Sequence, residues 1–271
     1  MTKGSFPRSV IVHGTGLIGS SLGLALKKYL PGVPVFGVDA SEVLERSRRL
    51  GAVESESPPA TADLVILATP VGAILEWLDQ PLCRAELILD VGSTKAAICR
   101  RAEARNLPFL GGHPMTGSER AGPEAASAEL FHGETFFLCP VATTPPEAQA
   151  KIESVLRAIG AQPVVIDADR HDRLVAQLSH LPQILSSLVA NQTTESIELA
   201  GPGWKSVTRL AASPFHVWRD ILETSESLPE ELRSFVARLQ SLLSALEKRD
   251  FREIENIFER ANRIVSGERH E

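Results

Sequence analysis

The sequence predicts an α/β fold, a doubly wound parallel sheet over residues 1–167 followed by an all-helical domain over residues 168–271. Three observations predict it. A short apolar run at 10–13 passes through Gly14, Gly16 and Gly19 into a small-residue helix, and a second apolar run ends in an acid, Asp39. Further apolar runs alternate with helical patterns as far as Ile166, as in strands joined by crossover helices. Beyond Asp167 the strand pattern does not recur.

The first two strands are expected at 10–13 and 33–39, with a helix over 17–29 between them. In GTGLIG, Gly14 allows a tight turn, Gly16 lets the backbone approach a pyrophosphate, and Gly19 lets helix and strand pack closely. The helix N-terminus, with its free N–H groups and dipole, favours the phosphates. Leu17 and Ile18 complete this candidate cofactor loop. A carboxylate at Asp39 would accept hydrogen bonds from a ribose 2′-OH and repel a 2′-phosphate, so NAD is favoured over NADP. The neighbours Ala40 and Ser41 supply no arginine for that phosphate. The competing reading is a glycine turn that binds nothing. A helix over 42–50 stops at Gly51, and DLVILA at 63–68 reads as a strand buried on both faces. A short helix over 71–78 follows Pro70. The fourth strand is expected at 87–91 with its helix at 95–105, and the fifth at 109–111. Later strands are expected at 135–139 and 164–166, separated by an amphipathic helix over 147–159.

In the helical half, residues 171–197 read as one long helix kinked near Pro182, and 199–205 as a loop. Further helices are expected at 215–225, 230–248 and 251–265. Leu232, Phe235, Val236, Leu239, Leu242, Leu243 and Leu246 recur at three-four spacing, an apolar stripe along one face. Such a face needs a partner surface, so a homodimer through this half is expected.

Composition bounds the function. A net charge of −6 gives no reason to expect nucleic acid or an anionic membrane as partner. An anionic substrate would need local arginine or lysine. Cys83, Cys99 and Cys139 show no ligand spacing, so neither a metal site nor a disulfide framework is expected. No apolar run reaches membrane-spanning length, and the N-terminus lacks the apolar region of a signal peptide. The expected compartment is the cytoplasm.

Candidate chemistry sits in loops at the carboxyl ends of strands, where doubly wound sheets bind ligands. Thr69, Pro70 and Val71 follow the third strand as candidate cofactor contacts, or as a turn that merely starts a helix. Ser93 and Thr94 follow the fourth; both are also ordinary helix caps. In GGHPMTGSE, His113 lies between glycines and a proline, read as a loop, and its side chain suits proton transfer near neutrality. His180 and Arg209 are candidates in the helical half, Arg209 because arginine suits bidentate carboxylate recognition. Each also has a bland reading, as a core histidine and a surface ion pair. His13, His132, His171 and His216 read as structural or solvent-facing.

Taken together, these stretches resemble the prephenate/arogenate dehydrogenase family of tyrosine biosynthesis. GTGLIGSSLG, ATPV, DVGSTK, GGHPMTGSE, SHLPQ and TRLAASPFHVWRDI occur in the family's order between Val10 and Ile221. The resemblance implies a Rossmann-type domain, a helical dimerisation domain and NAD as cofactor. It implies an oxidoreductase that decarboxylates prephenate to 4-hydroxyphenylpyruvate. His113 matches the catalytic histidine, and Ser93 a serine that orients substrate and histidine near the nicotinamide. Arg209 matches the arginine that binds a substrate carboxylate, His180 a histidine lining the pocket, and Glu119 an acid near its mouth. Thr116, in the loop with Glu119, is counted with the substrate-binding residues, and Trp218 matches a structural tryptophan. Gln183 departs from the pattern, since many prephenate users carry a second histidine there. A cationic histidine would repel the ammonium of arogenate, whereas an amide oxygen can accept from it. Arogenate, or dual cyclohexadienyl specificity, therefore stays open beside prephenate. Two rivals also stand. Dehydrogenases of the β-hydroxyacid or pyrroline-carboxylate type lack GGHPM, and a non-catalytic dinucleotide sensor would not need His113 and Arg209 in one pocket.

Overall fold

The computed structural model describes residues 6–117, 122–192 and 197–267. The chain divides into two compact units, Met1–Glu226 and Ser227–Glu271.

The first unit holds a seven-stranded sheet: β1 (Val10–His13), β2 (Val35–Val38), β3 (Thr61–Leu67), β4 (Arg84–Asp90), β5 (Phe109–Pro114), β6 (Thr135–Pro140) and β7 (Gln162–Val165). Their spatial order is β2-β1-β3-β4-β5-β6-β7. The first five strands run parallel, joined by α1 (Leu17–Tyr29), α2 (Ser41–Arg49), α3 (Val71–Asp79) and α4 (Ala96–Ala104). The order reverses at β1, between β2 and β3, and the crevice at their carboxyl ends is where such sheets take ligands. The sheet is not wholly parallel as expected. β6 runs antiparallel to β5, and β7 pairs parallel with β6 across α5 (Ala148–Ala158). Among the described residues between β5 and β6 the only helical turn is Pro123–Ala125, too short for the crossover a parallel return requires.

Strand side chains alternate between two apolar layers. Val12, Leu64, Ile66 and Leu89 pack with Leu22 and Leu26 of α1 and Ile152 and Leu156 of α5. Ile11, Val65, Leu67 and Ile88 pack on the other face with Ile74 and Leu78 of α3 and Ile98 and Ala102 of α4. Both faces of the sheet are covered, which is why the central strands read as unbroken apolar runs.

β5 extends to Pro114, so His113 lies in a strand and not in the loop its glycines and proline suggest. Pairing with β6 decides this: His113 faces Phe137 and Pro114 faces Phe136. A Cβ at Gly112 would lie 2.5 Å from the Asp90 carbonyl oxygen, so this glycine serves the close approach of β4.

The long helix expected from residue 171 is α6 (Ala168–Val175), a π turn at Ala176–His180 and α7 (Leu181–Gln192). Pro182 has no N–H to give the carbonyl four residues back, and the Leu181 N–H reaches five residues back to Ala176. The loop expected at 199–205 is helical from Pro202. α8 (Pro202–Thr208) starts with that proline in its first turn, the one helical position that tolerates it. A 3₁₀ turn, Arg209–Ala212, leads to α9 (Phe215–Thr224). The second unit comprises α10 (Leu228–Lys248) and α11 (Phe251–Ser266), divided by Arg249 in the left-handed region at φ 54°. Among the described residues no strand follows Val165, and no helix is long and apolar enough to cross a membrane.

Candidate active site

The three glycines of the first loop divide by what surrounds them. Gly14 has φ +91°, and a Cβ there would sit 2.5 Å from the Ala68 carbonyl oxygen. A Cβ at Gly19 would meet the Gly14 carbonyl oxygen at 1.8 Å, whereas one at Gly16 meets nothing within 4 Å. Gly14 and Gly19 therefore belong to the packing of the fold, and Gly16 borders open space. The first turn of α1 carries no side-chain cap and no acid. Its free N–H groups fit a pyrophosphate. Asp39, half-buried at the end of β2, accepts from the Thr15 N–H at 2.6 Å through one oxygen and from the Ala40 N–H at 2.7 Å through the other. These bonds fix the carboxylate beside the glycine loop, with lone pairs left for a ribose hydroxyl. The residues present fit a dinucleotide. Leu17, Ile18 and Thr69 are half-buried, Pro70 is exposed, and the Val71 side chain is buried in the core.

His113 lies at the carboxyl end of β5, and its Nδ1 is 2.9 Å from His171 Nε2. His171 Nδ1 is in turn 2.8 Å from Asp172 Oδ1. Asp172 also accepts the N–H groups of Lys95 at 2.7 Å and Ala96 at 2.9 Å, so one carboxylate of α6 caps the start of α4. The His171 ring stands edge-on to His113 and Phe137. His171, read from the sequence as structural or solvent-facing, is wholly buried and in direct contact with His113. The one local signal was the adjacent His-Asp pair just inside a helix whose cap is Asp167. Lys95 and Asp90 form an ion pair with both side chains wholly buried, also missed. Asp90 further accepts from Gly92 N–H at 2.8 Å and Gly112 N–H at 3.1 Å, tying together the ends of β4 and β5.

Burial holds His113 well below the usual histidine range, helped by repulsion from His171, Lys95 and His180. Burial also lowers His171, against the pull of its Asp172 hydrogen bond. Burial by itself would raise Asp172. The hydrogen bonds from His171, Lys95 N–H and Ala96 N–H outweigh it and hold Asp172 below the usual carboxylate range.

A helical wall faces this cluster. His180, on the π turn, is 1% exposed and lowered to about 4 by burial. Its Nδ1 is 3.0 Å from Ser225 Oγ, its ring stands edge-on to Trp218, and its Nε2 is buried with no hydrogen-bond partner among the described residues. An orphaned buried nitrogen is costly unless a ligand satisfies it. α9 docks onto the first turn of α3 and the loop before α4: Asp220 accepts from Gly72 N–H at 2.8 Å, and Thr224 Oγ1 is 2.7 Å from Thr94 Oγ1. Gln183 Nε2 donates to the Leu210 carbonyl at 2.9 Å, and Ser186 Oγ accepts from Ala211 N–H at 3.0 Å. These bonds hold the turn that carries Arg209, whose side chain is exposed, against α7. Ser93 is half-buried just before α4. Thr116 Oγ1 donates to the Leu130 carbonyl at 3.1 Å. Glu119 lies outside the described residues.

Residues 22–165 match the model of the prephenate dehydrogenase nucleotide-binding domain, and residues 167–260 that of the prephenate dehydrogenase dimerization domain. The chain belongs to the prephenate dehydrogenase family. A prephenate dehydrogenase of Lactococcus lactis is 31% identical over 277 residues, covering 95% of this chain and 76% of that protein. A cyclohexadienyl dehydrogenase of Zymomonas mobilis is 33% identical over 264 residues, covering 90% of each. The crystal structure of Aquifex aeolicus prephenate dehydrogenase, in complex with hydroxyphenyl propionate and NAD⁺, shares the fold with a TM-score of 0.90 at 23% identity. It covers 98% of this chain and 100% of that one. The β-hydroxyacid and pyrroline-carboxylate rivals fall away with the family match.

Proposed function

We propose that the chain is an NAD-dependent prephenate dehydrogenase, converting prephenate to 4-hydroxyphenylpyruvate and CO₂. The observation that carries this reading is His113, a buried imidazole kept neutral by its surroundings, at the carboxyl end of the sheet that also carries the glycine loop. Gly14, Gly16, Gly19 and Asp39 would hold the dinucleotide, with Thr69 and Ser93 on the neighbouring strand ends. When bound, the dinucleotide supplies the acceptor for the C4 hydride. His113 takes the proton of the C4 hydroxyl, and returns it to the same oxygen once loss of CO₂ from C1 has made the ring aromatic. Ser93 orients the hydroxyl toward His113. Arg209 holds a substrate carboxylate, and the orphaned His180 Nε2 offers a further polar contact. Alignment in the crevice supplies the positional part of the acceleration.

A second reading, arogenate as substrate, is favoured by Gln183. The Leu210 carbonyl can only accept, so the amide NH₂ must face it and the amide oxygen is left for a donor such as an ammonium. The test is kcat/KM of the full chain for prephenate and arogenate, each with NAD⁺ and NADP⁺. Prephenate with NAD⁺ is expected to give the highest value. Higher values with arogenate establish the second reading, and no turnover of either overturns both.

We further infer a homodimer. Val236, Leu239, Leu243 and Leu246 of α10 and Phe258, Ile264 and Val265 of α11 are exposed. Apolar faces of this extent mark protein contacts. Light scattering at micromolar concentration should give twice the mass of 29.3 kDa, and a monomer alone would remove the inference.

A further inference from the structure

Histidine has two ring nitrogens, and a general base needs the correct one free of its proton. We propose that His171 and Asp172 are positioning residues that hold His113 in its Nδ1–H tautomer, leaving Nε2 as the nitrogen that takes the substrate proton. The inference rests on the reading of His113 as the base.

The hydrogen bonds fix the protons one after another. Asp172 is an ionised carboxylate and can only accept. Its two oxygens receive the N–H groups of Lys95 and Ala96, and Oδ1 also lies against His171 Nδ1. His171 Nδ1 must therefore carry a hydrogen. His171 is wholly buried and neutral near pH 7, so its Nε2 bears a lone pair. That lone pair lies 2.9 Å from His113 Nδ1, which must be the donor. His113 Nε2 is then bare. A free histidine prefers the opposite tautomer, with the hydrogen on Nε2 and the base blocked.

The surrounding charges agree with this assignment. The groups around the pair are Lys95, Asp90, Asp172 and His180. Lys95 is held by Asp90 in their buried pair. His180 is neutral well above its value of about 4. The carboxylate joined to His113 through His171 is that of Asp172. When His113 accepts a proton at Nε2, its Nδ1–H remains on His171 and the new imidazolium charge is oriented toward that carboxylate. No second proton transfer is needed. Asp172 is placed by α4 and His171 by α6, so the tautomer is set by the join between two helices rather than by the strand that carries the base.

The test reads the tautomer directly. The full chain, ¹⁵N-labelled at its seven histidines, is examined by long-range ¹H–¹⁵N spectra without substrate, with His113→Asn assigning the signal. His113 is expected to be protonated at Nδ1 and bare at Nε2. In His171→Leu the Nε2–H form should appear, and kcat should fall on the order of 10²-fold with KM little changed. His171→Gln places an amide oxygen where the accepting nitrogen stood, and should restore the tautomer and most of kcat. A wild-type His113 protonated at Nε2 overturns the proposal, as does a His171→Leu enzyme that keeps both the Nδ1–H form and full kcat. Should His171→Leu fail to fold, the wild-type spectrum and His171→Gln decide it. Because the spectrum needs no turnover, failure of prephenate as substrate would show separately.

Discussion

His113 and His171 lie 2.9 Å apart yet differ sharply in how they read as sequence. His113 stands in a glycine- and proline-flanked segment after a strand, where a bulky polar side chain has few structural reasons to be. His171 stands in DADRHDR, which looks like the solvated first turn of any helix. The docking of α6 on the start of α4 and on the β5 and β6 residues His113 and Phe137 makes it wholly buried, and no local pattern encodes those contacts. Lys95 was hidden in the same way, as the first residue of an expected helix. The prediction at this scale concerns the base. His113→Asn keeps size and polarity but supplies no basic nitrogen, so kcat should fall by about 10²–10⁴ with little change in KM. Steady-state kinetics with prephenate checks it, and a near-normal kcat would remove His113 from the mechanism.

Among the elements, the glycine loop separates folding from binding. Gly14→Ala forces a Cβ against the Ala68 carbonyl in a backbone conformation that L side chains rarely adopt, and Gly19→Ala drives one into the Gly14 carbonyl. Each should lower stability by at least ~1–3 kcal/mol, visible as a lower Tm. Gly16 has φ −70° and an open side, so Gly16→Ala should leave Tm unchanged and weaken NAD⁺ binding. Calorimetry of the three variants with and without NAD⁺ distinguishes them; an equal loss of Tm in all three would contradict the division. Most elements were legible, because the β1-α1-β2 unit and the α9, α10 and α11 helices carry strong periodicity. β5 and α8 were not. At both, glycine and proline argued for a loop, and strand pairing at one and first-turn placement of Pro202 at the other prevailed.

At the scale of the molecule, four histidines among the described residues are buried: His13, His113, His171 and His180. Burial lowers all four, His13 and His180 to about 4. The unfolded chain titrates them near 6.5. Between those values the unfolded state binds more protons, so stability rises with pH there, is complete above about 6.5 and is lost as pH falls toward 4. Urea unfolding at about pH 7.5 and about pH 5 should show the loss, and equal stability at the two would argue that these side chains are hydrated. The same burial keeps His113 unprotonated across the range where the reaction must run.

The π turn at Ala176–His180 adds one residue to what would otherwise be a regular helix. One residue of α-helix is about 100° of rotation. Upstream of it, His171 meets His113 of β5 and Asp172 meets the start of α4; at its end and beyond, His180 meets Ser225 after α9, and Gln183 and Ser186 meet the Arg209 turn. The turn is a phase shift that lets one continuous rod serve two walls of a crevice. A chain shortened by its solvent-exposed Leu178 would remain helical, yet could align only one of those walls at a time.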